Sequence, residues 1–155
     1  MRSIKSINRS DMTDIALGGA FLGTGGGGDP YIGRLMAEQA IDNYGPVRVL
    51  DVEALSDDAL VIPVCMMGAP TVMLEKLPRG DEAINALRSL EAVLGRKADA
   101  LFCIEAGGLN STIPIAVAAT AGLPIVDGDG MGLSLIHISE PTRRRGISYA
   151  VFCLK

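Results

Sequence analysis

The carboxylates best placed to do chemistry stand where apolar runs stop. Glu105 follows Leu101-Phe102-Cys103-Ile104, and Asp127 and Asp129 follow Pro124-Ile125-Val126. Asp127-Gly128-Asp129-Gly130 could hold a divalent cation through its two acids, or position a water or an amide. It lacks the later ligand positions of a helix-loop-helix calcium site. A tight turn with its aspartates bonded to backbone N–H groups fits the same residues. Glu105, directly after a buried run, would be partly desolvated, which raises a carboxylate pKa and suits proton transfer. The competing reading is a carboxylate satisfied by the helix start at Asn110. Glu75 and Lys76 are adjacent, so on an extended segment they point to opposite sides and do not pair. One of them faces a site, or both form an ordinary solvated pair. Cys103 reads as core rather than nucleophile, mid-strand and with no histidine near it to activate it.

The other chemical feature is the run Gly25-Gly26-Gly27-Gly28, followed by Asp29 and Pro30. Consecutive glycines cost backbone entropy and give nothing to a core, but they bring bare N–H groups close to a ligand. Asp29 suits a helix N-cap and Pro30 the first helical position, so the loop opens onto a helix N-terminus, an anion site. The plain alternative is a flexible turn between helices. Gly23, Gly25 and Gly28 also fit a dinucleotide fingerprint, with Asp51 at about the expected distance. That fingerprint requires a strand before the glycines, whereas the residues before them read as a helix.

Those groups need elements to hold them. Residues 10–22 read as a helix capped by Ser10 or Asp11, with Ile15, Leu17, Ala20 and Phe21 as its apolar bulk; Gly18-Gly19 weakens it or admits a close backbone. Residues 30–43 form a second helix with Ile32, Leu35, Met36 and Ala40 on one face. Residues 47–50 and 60–66 read as strands, with Pro63 demanding an edge or a bulge. A loop holds Gly68 to Thr71. A helix follows from Gly80-Asp81, with Ile84, Leu87, Leu90 and Leu94 inward and Gly95 as stop. Residues 100–104 form a third strand. Asn110 or Ser111 then caps a small-residue helix to Ala121, and residues 124–126 make a fourth strand. Alternating helices and strands of this kind predict an α/β fold, a Rossmann-like, mostly parallel sheet with its site at the strand C-terminal ends.

With 155 residues the chain suits one domain. The apolar runs are only strand length, so no membrane span is expected. The N-terminus lacks the apolar stretch of a signal peptide. Three cysteines, Cys65 and Cys103 among them in strand-like runs, fit reduced thiols in a cytoplasmic protein. A net charge of −4 argues against nucleic acid as a partner.

Five ordered stretches then carry a resemblance: Leu22 to Tyr31, Gly68-Ala69-Pro70, Leu74 to Pro78, Glu105 to Asn110, and Leu123 to Gly132. Together they resemble the S-methyl-thiohydantoin desulfurase-like family, which is also similar to segments beside or fused to hydantoinase/oxoprolinase proteins. The resemblance covers roughly residues 11–132. It implies a three-layer α/β first domain, a β-rich second domain, and action on small five-membered cyclic amides or their sulfur analogues. It favours function for Asp127 and Asp129 and for Glu75 and Lys76, and a hydantoinase partner or a homo-oligomer as assembly.

Beyond Gly132 the pattern departs. Residues 133–155 are similar to a translated sequencing-adaptor read, a contaminant of metagenomic gene calls; the alternative is a genuine C-terminal β-segment from Ile147 to Leu154. Without them ten basic and seventeen acidic residues remain, a net of −7. The only histidine, His137, falls in this tail. The expectation is an incomplete N-terminal domain of an enzyme, inactive alone. Gly25 to Gly28, Asp29 and Asn110 would bind ligand; Glu105, Asp127, Asp129, Glu75 and Lys76 would act on it. Asp127 and Asp129 are the candidates for a divalent metal. The opposing reading is a nucleotide- or cyclic-amide-binding module without turnover.

Overall fold

A computed structural model describes residues 5–24, 27–68, 72–76 and 78–130. Gly25, Gly26, the 69–71 loop and the tail with His137 lie outside the described residues. Among the described residues five strands form one sheet: β1 (Ser6–Ile7), β2 (Val47–Leu50), β3 (Val61–Val64), β4 (Ala100–Cys103) and β5 (Ile125–Asp129). Their order is β1-β2-β5-β4-β3, with only the β1–β2 pair antiparallel. The mostly parallel α/β sheet expected from the sequence is present. β1, two residues long, is too short for a periodicity to reveal. Pro63 lies in the edge strand β3, where its missing N–H costs no ladder bond.

Cross-strand register places Ile62, Leu101, Ile125 and Val49 in one row, and Pro63, Phe102, Val126 and Leu50 in the row facing the other way. The first row belongs to the hydrophobic core. Over it lies α5 (Ile113–Ala121), whose residues are buried from Ile113 through Ala119. A helix apolar on every side must be covered on every side. The sheet covers one side of α5, and α2 (Pro30–Tyr44) covers the other. The layers therefore run sheet, α5, α2, with α1 (Met12–Gly23) against α2 and α4 (Glu82–Leu94) beside α5. The short helix α3 (Val72–Glu75) precedes α4.

Helix ends follow their residue types. The Asp29 carboxylate accepts the Tyr31 N–H at 2.8 Å with Pro30 next, and Gly95 closes α4 in the left-handed conformation. Asp11 does not cap α1 by its side chain; its carboxylate turns back to the Asn8 N–H at 2.7 Å.

Which face turns inward differs from expectation in three helices. In α1 the buried residues are Met12, Ala16 and Gly19, while Leu17, Ala20 and Phe21 are exposed. In α2, Gly33, Ala37, Ala40 and Ile41 are buried and Leu35 is exposed. In α4, Leu87 is buried, but Leu90 and Leu94 are exposed. For α1 and α2 the reason is close approach: Gly19 meets Ser111 and Gly108, and Gly33 meets Thr112 and Leu109. Small residues let these helices descend onto the 108–112 turn, which rotates their larger side chains outward. In α4 the place of an apolar residue is taken by Glu91. It is buried between Arg88 at 2.8 Å, Lys97 at 2.9 Å and the Ala98 N–H at 2.9 Å.

Candidate functional site

At the C-terminal end of β4 the chain turns through Glu105 and Gly107 into a 3-10 turn, Gly108–Ser111. Asn110 is its organiser. Its side-chain oxygen accepts the Met66 N–H at 2.7 Å, and its amide nitrogen donates to Met66 O at 3.1 Å and to Glu105 Oε1 at 2.7 Å. One buried side chain thus ties the end of β3 to the end of β4 and fixes the Glu105 carboxylate. Asn110 does not cap α5; Thr112 stands at that position.

Cys103 lies beneath this turn. Its Sγ sits 2.7 Å from Glu105 O and 2.9 Å from Asn110 O, so its single S–H has two carbonyls to donate to. Burial pushes the thiol up to about 12, with the Asp129 carboxylate adding to the shift. It stays protonated at neutral pH, in keeping with a core residue rather than a nucleophile. Among the described residues neither Cys65 nor Cys103 is in a disulfide.

β5 brings its acids to this point by an irregular route. Phe102 pairs with Val126, but Cys103 pairs with Asp129, so Asp127 and Gly128 are the extra residues in the ladder. A bulge of this kind re-aims side chains at a strand end. Asp129 is delivered beside Cys103, Asp127 remains exposed in the bulge, and Gly130 N–H closes on Cys103 O at 3.2 Å. Among the described residues no group of three or more His, Cys, Asp or Glu is gathered as a metal site.

Gly27 and Gly28 reach the same place from the other side. Gly27 O accepts the Leu109 N–H at 2.9 Å. A Cβ on Gly108 would stand 2.5 Å from the Gly27 carbonyl, and one on Gly27 would stand 2.8 Å from Gly107 O. Both glycines hold positive φ, +74° and +58° for Gly27 and Gly108. Gly27 and Gly28 are therefore pressed backbone to backbone on the Gly107-Gly108 turn, a demand for glycine that the sequence alone did not reveal. α1, and not a strand, precedes the loop, so the dinucleotide fingerprint lacks its framework.

The structure thus gathers Glu105, Asn110, Asp129, Gly27 and Gly28 around one turn, with Asp29 just after the loop. Glu75 and Lys76 are both exposed, and no described hydrogen bond or ion pair links their side chains to the cluster. Glu75 closes helix α3 instead of lying on an extended segment. Sequence reasoning missed the bridging role of Asn110 toward Met66; the polar residue closing a Gly-Gly turn was the available signal. From Met66 a groove of about 430 Å³ opens between α2, α5 and the start of α4, with Met36, Ala40, Ile84 and Val117 on its walls.

No helix among the described residues is long and apolar enough to cross a membrane. No curated protein matches the chain. An X-ray crystal structure of a protein from Chromobacterium violaceum is similar, at 29% identity with a TM-score of 0.61. The match covers 81% of this chain and 35% of that one, so this chain spans about a third of that protein's length. The family described as S-Me-THD-like, N-terminal domain, matches residues 10–138, and thus runs past Gly132. The chain belongs to the S-Me-THD-like family, and residues 10–138 are its N-terminal domain.

Proposed function

We propose that this domain supplies part of the active site of an enzyme acting on small five-membered cyclic amides or thioamides, by thiohydantoin desulfurase or hydantoin-type chemistry. The observation that carries the reading is the meeting of Glu105, Asn110 and Asp129 at the C-terminal ends of adjacent parallel strands, beside the glycine loop. Ligands of open α/β sheets sit at that end. The family, S-Me-THD-like, gives the substrate class its support. With the Cys103 thiol kept protonated, the carboxylates of Glu105 and Asp129 are the groups able to take or give a proton; Asn110 orients the first of them. Backbone N–H groups of the glycine loop would receive a carbonyl or anionic oxygen. Asp127 and Asp129 are the pair that would take a divalent ion, and Glu75 and Lys76 would join the site only through a movement of α3.

The test is a full-length family member assayed on hydantoins and S-methyl-thiohydantoins, with and without added divalent metal. Glu105→Gln and Asp129→Asn, in that protein at the equivalent positions, should each lower turnover by about 10²-fold or more. Full activity in both amides would place the chemistry elsewhere. Ligand binding without turnover by the unaltered enzyme would favour the binding-module reading.

A further inference from the structure

The outer surface of the α1–α2 pair is apolar where water should find polar groups. Leu17 is 70% exposed, Phe21 80%, Leu22 36%, Tyr31 54% and Leu35 43%. Leu17 and Phe21 are one turn apart on α1, as are Tyr31 and Leu35 on α2, so each pair makes a stripe. Arg34 holds the stripes side by side, because its guanidinium donates to Thr13 Oγ1 at 3.2 Å and lies 5.3 Å from the Tyr31 ring centre. Between Leu17 and Phe21 sits Gly18, with nothing within 4 Å of where its Cβ would be. A helix of this composition, apolar on its buried and its exposed sides, is ordinarily covered on both.

We propose that a second copy of this chain covers it, with the two α1 helices crossing antiparallel at Gly18. A two-fold interface needs one patch that supplies both the knobs and the holes. The bare Gly18 backbone is the hole, and Leu17 and Phe21 on the same stripe are the knobs that bracket the partner's hole. Charge selects the antiparallel sense. Asp14 lies one turn before Gly18 on this stripe, and parallel helices would set the two Asp14 carboxylates side by side. Antiparallel, they stand four residues to either side of the crossing, about 12 Å apart, beyond the screening length of about 8–10 Å. The five side chains offer roughly 500 Å² of apolar surface per copy. That is more than half of the ~800 Å² each partner gives a standard interface, leaving the rest to a polar rim.

Sedimentation velocity of the purified chain over roughly 5–100 µM, a span of ordinary dissociation constants, should show a species of twice the 16.2 kDa chain mass. Phe21→Glu should shift it to monomer with an unchanged circular dichroism spectrum, and Val93→Glu, on the exposed side of α4, should leave it dimeric. Gly18→Cys supplies a check that does not depend on breaking anything. With copper phenanthroline it should cross-link to a covalent dimer on a non-reducing gel, while the unaltered chain does not. A monomer throughout the range, a dimer that survives Phe21→Glu, or absence of the Gly18→Cys cross-link would overturn the proposal.

Discussion

Gly27 and Gly108 touch through their backbones: a Cβ on Gly108 would stand 2.5 Å from the Gly27 carbonyl carbon and oxygen, and the Leu109 N–H bonds to that oxygen at 2.9 Å. Gly108 cannot carry a side chain while Gly27 stays in place, and a Cβ on Gly27 would in turn stand 2.8 Å from Gly107 O. Gly108→Ala should therefore destabilise the domain by about 2–4 kcal/mol, combining overpacking with a left-handed backbone. Gly128→Ala, whose Cβ would meet only Val52 Cγ2 at an ordinary 3.7 Å, should change stability by less than about 0.5 kcal/mol. Urea unfolding of the two variants checks the contrast. A Gly27→Val variant would lose stability along with any ligand contact, so it cannot test ligand binding alone.

Asn110→Asp is the sharpest probe of the turn. The carboxylate keeps the shape and still accepts from Met66 N–H, but it cannot donate to Met66 O or Glu105. A loss of about 1–3 kcal/mol is expected for each acceptor left unmatched, with the facing Glu105 charge adding to it. The midpoints of the variant and the unaltered chain should draw together as pH falls and the new acid, its pKa raised by burial and the like charge beside it, is protonated. Equal midpoints to the unaltered chain at pH 7 would contradict the bridging role.

Glu91 sets an acid limit. The Ala98 N–H, the Arg88 guanidinium and the Lys97 ammonium hold its pKa at about 2, down from 4.5. A depressed carboxylate stabilises the fold fully above its unfolded pKa, and that stabilisation fades as pH falls from about 4.5 toward 2. Glu91→Gln should remove it at pH 7 and flatten this part of the stability–pH curve. Chemical denaturation at pH 7, 4 and 3 measures both effects.

Cys103 behaves in the opposite sense at the alkaline end. Its pKa is pushed from 9.0 to about 12, so the folded state holds the thiol proton that the unfolded chain releases. Stability is unaffected below about pH 9 and falls as pH rises from 9 toward 12. In native protein at pH 8, iodoacetamide should label Cys103 far more slowly than in urea, as peptide mass spectrometry would show. Rapid native labelling would mean that the turn opens readily.

The alternation of strands and helices was legible because β2 to β5 lie in compact apolar runs closed by a glycine or an acid, and Pro63 announced its edge. The strand-end positions of the candidates Glu105 and Asp129 were legible for the same reason: strand ends are where polar groups interrupt such runs. The helix faces were not. Apolar periodicity assumes that large side chains face the core, whereas α1 presents Gly19 and Gly23 to the backbone of the 107–111 turn. The bulge at Asp127-Gly128 was hidden as well. It depends on pairing with Cys103, a contact between residues more than twenty positions apart, and no local pattern encodes it.

The strand order carries a consequence for synthesis. β5 lies between β2 and β4, yet it leaves the ribosome after both. Until Ile125 and Val126 emerge, β1–β2 and β3–β4 are separate ribbons whose facing edges have no partner. Between the completion of β4 at Cys103 and the arrival of Ile125, the nascent chain therefore carries two open strand edges, a state prone to wrong pairing. One late strand closes both edges at once. Completion of this sheet is a single event set by the arrival of β5, rather than the gradual addition of one strand after another.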